Sequence, residues 1–159
     1  MVIGLFRPAV GGAELQAEAL ARELVRRGVE VSVVTARTSP ESPSFETTAG
    51  VAIHRLRTVA APKIGKYLFL LSVAVFLLRR RRSYDIVHCH QALGASAIGV
   101  AVASMLRKPS LVKVSNSGRR FDLAVLRGSY AIGGWLAGRF RRAGALVVLN
   151  EEMRADLDA

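Results

Sequence analysis

The sequence predicts an α/β fold: a Rossmann-like, doubly wound, mainly parallel sheet with helices on both faces. Three observations point there. Val2 to Thr35, VIGLFRPAVGGAELQAEALARELVRRGVEVSVVT, reads as strand, glycine loop, helix, glycine stop and strand, the βαβ connection that parallel strands require. Further short apolar runs at Asp85–Cys89, Ser110–Val114 and Ala145–Leu149 read as strands, the first of them buried. A chain of 159 residues, 51% of them apolar, suits one domain with its own core.

In chain order, Val2 to Phe6 lacks polar alternation, and Pro8 ends it. Gly11 and Gly12 precede a helix whose Ala13, Ala17, Leu20, Ala21 and Leu24 share one face. Glu14 and Glu18 lie toward its start and Arg22, Arg26 and Arg27 toward its end, as the helix dipole favours. Gly28 fits the C′ position, and Val31, Val33 and Val34 open the next strand. Arg37 to Gly50, with Pro40 and Pro43, reads as a mobile surface loop near the site. Val51 to Leu56 reads as a third strand, at the sheet edge or beside the second. Thr58 to Lys66 is a basic connector with Pro62 and Lys63. Tyr67 to Leu78 is the most apolar run, too short at about twelve residues to cross a bilayer, and Arg79 to Arg82 follow it. It is either a helix buried on the sheet with a solvated basic end, or a helix whose flank meets anionic lipid. Ala92 to Leu106 is a helix of small residues, allowing close packing. Asp122 to Arg142 reads as helix broken at Gly128–Gly134, with Trp135 in the core. Asn150, before Glu151 and Glu152, reads as an N-cap.

Net charge is +11, which favours anionic lipid, nucleic acid or phosphorylated ligands, or reflects arginine-rich composition alone. Nucleic acid is not expected: no known module is present, and aromatic residues are not interleaved with basic ones. The single cysteine, Cys89, excludes an intrachain disulfide. Flanked by His88 and His90, it lacks the second ligand pair of a zinc site, so no metal is expected. Met1 leads directly into the first strand, so no signal peptide is expected. Neither G-x-G-x-x-G nor G-x-x-x-x-G-K-[ST] occurs, which argues against a dinucleotide oxidoreductase and a Walker-type loop.

Chemistry is expected outside the carboxyl ends of the strands. The Gly11–Gly12 loop fits either a phosphate cradle at a helix N-terminus or a plain tight turn. His90 and Gln91 end one strand. Strand alternation is taken to point His88 into the fold and His90 toward the cleft. Lys113 and the polar loop Ser115-Asn116-Ser117-Gly118-Arg119-Arg120 end another, with groups suited to sugar hydroxyls or a phosphate.

Three stretches carry a resemblance. GGAELQAEALARELVRRGVEVSVVT is similar to the opening of retaining GT-B glycosyltransferases of the family 4-like, group 1 kind. SYDIVHCHQ (Ser83 to Gln91) resembles that family's D-hydrophobic-V-H-x-H strand end. ALVVLNEEMRADL (Ala145 to Leu157) resembles its strand and following helix start. The resemblance implies that 1–159 is a single acceptor-side, N-terminal domain, with the C-terminal donor-binding domain absent from this chain and the isolated fragment inactive. It implies hexosyl transfer with retention, without metal or cofactor, from a nucleotide-sugar donor to an acceptor hydroxyl. It implies a cytoplasmic protein, peripheral on the inner face of a membrane, acting on an acceptor that is lipid-linked in many relatives. By the same resemblance His90 and Ser115 are the catalytic candidates. Gly11, Gly12, Glu14, Gln91, Lys113, Asn116, Ser117, Arg119, Asn150 and Glu151 are the donor- or acceptor-binding candidates. Many relatives carry a histidine where this chain has Ser115 or Asn116; Lys113, Ser115 and Asp122 fit a subgroup pattern instead. The alternative is a basic, noncatalytic module that binds an anionic membrane surface or nucleic acid.

Overall fold

A computed structural model describes residues 1–8, 11–59 and 64–158; the Arg119 side chain also lies outside the description. Pro62 and Lys63 of the basic connector therefore fall outside the described residues.

The N-terminal segment is the middle of the sheet. Val2 makes parallel bridges to Val34 on one side and Cys89 on the other. Its amide donates to His88 O (2.7 Å), its carbonyl accepts from His90 N (2.9 Å), and Ile3 N donates to Val34 O (3.1 Å). The last ladder bond runs from Ala36 N to Gly4 O. Regular pairing is thus shorter than the expected Val2–Phe6 strand, because among the described residues neither neighbouring strand makes a ladder bond past Gly4.

On one side lie β1 (Ser32–Arg37), β2 (Phe45–Thr48) and β3 (Val51–Arg57), in the order β1-β3-β2. On the other lie β4 (Val87–His90), β5 (Ser110–Lys113) and β6 (Ala145–Val147), in sequence order. All neighbours are parallel except β2 and β3. The third strand therefore sits beside the second. The segment 37–50, expected as a loop, contains β2. Thr48 pairs with Val51, and the two residues between them, Ala49 and Gly50, have φ of 50° and 77°. Two positive φ values in a two-residue loop match the twist of a hairpin. The Ala-Gly pair is a weaker signal of it than Asn-Gly.

Val2 and Ile3 point to opposite faces and seed two cores. Ile3, Val33 and Ile53 pack under α1 (Gly12–Arg26) through Ala17 and Ala21. Val2, Val87, Cys89 and Val112 pack under α2 (Gly65–Arg79) and α3 (Gly94–Met105). The small residues of α3 are mostly buried, as close packing on the sheet requires. The Asp122–Arg142 stretch splits where glycines were expected to break it, into α4 (Asp122–Ser129), α5 (Gly133–Gly138) and a 3-10 turn at Arg139–Arg142. The chain closes with α6 (Glu151–Asp158). Trp135, expected in the core, is 52% exposed. It lies on the outer side of a six-residue helix whose Leu136 and Ala137 take the buried positions, and the Arg139 guanidinium stands 4.5 Å from its ring.

Gly28 ends α1 as expected. Its φ is +82°, its amide donates to Val25 O, and Val29 N reaches Leu24 O, the doubly bonded left-handed stop that favours glycine. Arg107 closes α3 in the same conformation, with φ of 55°, where a β-carbon is unfavourable. Chemical denaturation should therefore find Gly28→Ala less stable and Arg107→Gly more stable than the parent, each by about 1 kcal/mol.

Candidate functional site

The sheet order reverses between β1 and β4, on the two sides of the N-terminal segment. Loops leaving the strands diverge there, and it is outside the carboxyl ends of such strands that ligands of doubly wound sheets bind. His90, Gln91, Ser115 and Asn116 lie at that end, on β4 and β5 and just beyond them.

His88 and His90 are two residues apart on one strand, so pleating puts them on the same face, not on opposite ones as expected. Their rings stack with centroids 4.4 Å apart. His90 is 2% exposed, and neither ring nitrogen has a protein partner among the described residues. Burial, with the nearby His88 and Lys113, lowers its pKa to about 3. Burial and neighbouring positive charge lower that of His88 to about 4. Both imidazoles are therefore neutral near pH 7. The Ser115 hydroxyl is also buried without a protein partner among the described residues. An unsatisfied buried polar group costs about 1–3 kcal/mol, so these atoms suit a polar ligand. Cys89 points to the opposite face; burial pushes its thiol up to about 12, and it stays protonated.

Asp122 organises this corner. It is 1% exposed at the start of α4. One carboxylate oxygen accepts from Ala92 N (2.8 Å) and Ser115 N (2.9 Å), and the other accepts from Asn116 Nδ2 (2.7 Å). Asn116, expected to face ligand, spends one amide hydrogen on this carboxylate. Ser117 Oγ donates to Glu152 Oε2 (3.1 Å), and Gly118 N donates to Asp156 Oδ2 (2.8 Å). The loop after β5 is thus fastened to α6. Asn150 is the expected N-cap: Met153 N donates to its Oδ1 at 2.8 Å. Glu151 is exposed at the first turn of α6; Glu152 and Asp156 make the contacts to the loop.

The glycine loop meets this cluster through α1. Lys113, at the end of β5, donates to Gln16 on the second turn of the helix. Burial lowers the Lys113 pKa, partly offset by Asp122. Gly11 is the N-cap, in an extended conformation. A β-carbon there would lie 2.3 Å from Glu14 Oε2, because Glu14 folds back over the helix N-terminus. Gly12 is exposed, and a β-carbon there meets nothing within 4 Å. The clash at Gly11 is with the far end of a flexible side chain, and Gly12 has open space before it, so packing demands glycine at neither position. The Glu14 carboxylate occupies the ground an anion would take, so it must move aside for a phosphate.

Sequence reading missed Gln16, Glu152 and Asp156 and touched Asp122 only as part of a pattern. The available signal for Asp122 was an acid at a helix start directly after a polar loop. Among the described residues, no three His, Cys, Asp or Glu side chains gather closely enough to hold a metal ion. A separate cavity of about 330 Å³ lies on the other flank of α1, between Phe6, Arg7, Glu18 and the β2–β3 hairpin. Its Arg7 and Arg22 are both paired with Glu18, at 2.7 and 2.6 Å.

The sequence model of Glycosyltransferase Family 4 matches residues 10–159. The chain belongs to that family. An uncharacterized glycosyltransferase of Methanocaldococcus jannaschii is 26% identical over 117 residues, covering 68% of this chain and 28% of the relative. Sucrose-phosphate synthase from Thermosynechococcus elongatus superposes with a TM-score of 0.68 at 17% identity, over 99% of this chain and 44% of that one. The family 4 chain thus spans less than half the length of either protein. The glycosyltransferase family read from the three motifs is the one found, and the Rossmann-like α/β fold agrees with the structural match.

The histidines give the domain an acid-sensitive signature. Their folded pKa values lie below the ordinary 6.5, so from about pH 6.5 to 4 the unfolded chain binds protons that the folded chain refuses. The unfolding free energy must fall on acidification through that window. Urea midpoints measured across it should fall with pH, and His88→Gln should make the dependence shallower.

Proposed function

We propose that this domain is the acceptor-side half of a retaining hexosyltransferase that moves a sugar from a nucleotide-sugar donor to an acceptor hydroxyl without a metal ion. A second domain would hold most of the donor nucleotide. The observation that carries the reading is a buried, neutral His90 and a buried Ser115 hydroxyl, both without protein partners among the described residues, at adjacent strand ends of a glycosyltransferase family 4 domain. A neutral imidazole both donates and accepts hydrogen bonds, and so does a hydroxyl. The pair suits a sugar ring, whose hydroxyls need both. Gln91 adds an amide at the same strand end. The first backbone N–H groups of α1 suit the developing charge on a departing diphosphate, once Glu14 moves away. Retention and freedom from metal rest on the family resemblance.

The intact protein should slowly hydrolyse at least one of UDP-glucose, GDP-mannose and ADP-glucose. His90→Ala should lower that rate by about 100-fold, the usual cost of losing one transition-state hydrogen bond. The 159-residue chain alone should turn over none. Transfer by the isolated chain, or an unchanged rate in His90→Ala, would overturn the reading.

The acceptor we propose is lipid-linked, reached at the cytoplasmic face of a membrane, and α2 supports this. No helix among the described residues is long and apolar enough to cross a membrane. The outer side of α2 is nevertheless apolar. Ile64, Leu68 and Leu71 follow each other at helical spacing and are 63%, 40% and 60% exposed, opposite the buried Leu70, Val73 and Leu77. Arg79 to Arg82 stand at its carboxyl end, all exposed and none in an ion pair among the described residues. An apolar stripe ending in cations suits an anionic bilayer surface. In sedimentation assays the chain should bind phosphatidylglycerol vesicles and not phosphatidylcholine vesicles, with Leu71→Glu weakening binding at least about tenfold. Equal binding to both lipids, or none to either, would remove the membrane from the proposal.

A further inference from the structure

We infer that Asp122 is the positioning residue of this site: it fixes the two strand ends that carry His90, Gln91 and Ser115 relative to each other. The inference rests on the transferase reading only for its effect on turnover.

Two independent observations meet at this residue. The first is its set of donors. Ala92 N belongs to the turn after β4, while Ser115 N and Asn116 Nδ2 belong to the loop after β5. A single carboxylate therefore spans the two chain segments whose side chains form the candidate site. The second observation is backbone strain. Gln91, between His90 and Ala92, has φ of +66°, a conformation that residues with a β-carbon rarely adopt. Such a residue persists only when its surroundings over-determine it. The bond from Ala92 N to Asp122 acts directly after that turn and opposes its relaxation to an extended backbone. With the turn held, His90 and Gln91 keep their places at the carboxyl end of β4. Held by the same carboxylate, Ser115 keeps its hydroxyl at the same end of the sheet.

Asparagine at position 122 cannot reproduce this arrangement. One side of the wild-type carboxylate receives two backbone N–H groups and the other receives the Asn116 amide nitrogen. Replacing either oxygen by NH₂ sets donor against donor. Exchanging the two side chains, Asp122→Asn with Asn116→Asp, restores the match: the remaining amide oxygen faces the backbone donors and the NH₂ faces the new carboxylate.

Hydrogen exchange followed by NMR on the 159-residue chain tests the clamp without any substrate. The Ala92 and Ser115 amides should be protected in the parent, exchange at least about tenfold faster in Asp122→Asn, and recover in the exchanged pair, while Val112 in β5 stays unchanged. Turnover by the intact protein tests the consequence. With UDP-glucose, GDP-mannose or ADP-glucose, whichever is hydrolysed, Asp122→Asn should lower kcat at least tenfold with KM within about twofold and the folded fraction unchanged by circular dichroism. Unchanged exchange at Ala92 and Ser115, or a kcat loss no larger than the loss of folded protein, overturns the positioning role. If the parent hydrolyses no donor while the exchange pattern is as expected, the transferase reading fails and the clamp stands.

Discussion

The whole sheet depends on the backbone of one short segment. Residues 1–4 are hydrogen-bonded to β1 on one side and to β4 on the other, and no other described strand joins the two halves. Because consecutive side chains alternate, the same segment supplies Val2 to one core and Ile3 to the other, both essentially fully buried. Register along this seam therefore sets register everywhere. A slip of one residue would exchange the two faces and expose both cores. It would also shift His90 relative to the helix that carries the glycine loop, because both are placed by reference to the same strand.

From that seam the site follows with little freedom. The crossover through α1 returns to one side and the crossover through α2 to the other, so loops diverge at the carboxyl ends of the central strands. His90, Ser115 and Asp122 bring buried polar groups there, and backbone turns that cannot pair with a ladder need such partners. Asp122 satisfies donors from two of those turns at once. In the next part of the loop Asp156 accepts from the Gly118 amide and Glu152 from the Ser117 hydroxyl. The arrangement is acidic inside a strongly basic chain, as expected where carboxylates stand in for missing backbone partners.

Local signals reached the reader of the sequence and distant ones did not. The first helix, its Gly28 stop, the Asn150 cap and the strands after Asp85, Pro109 and Gly144 were legible because spacing and caps are properties of neighbouring residues. The family was legible from three motifs in order. The β2–β3 hairpin was hidden, since Ala49-Gly50 lacks the usual turn pair and β2 is polar and mostly exposed. The exposure of Trp135 was hidden because a short helix leaves no periodicity to orient it. His88 and His90 were misplaced by misapplied alternation: residues two apart in a strand share a face. The partners of Asp122 lie 7 and 30 residues away in sequence for its two backbone donors, and no pattern on one element encodes them.

The last strand has a practical consequence. β6 closes the sheet with Ala145, Leu146 and Val147 all exposed, and Leu149 just beyond is 53% exposed. Its outer row of amides and carbonyls has no strand partner among the described residues. It carries no lysine, proline or bulge, and its shortness, three residues, is what blunts it. A solution of this chain by itself still offers each molecule a short template for another to pair with. That short apolar border works against the mutual repulsion of a net charge of +11. Salt, which screens the repulsion and leaves the border intact, tilts the contest toward precipitation.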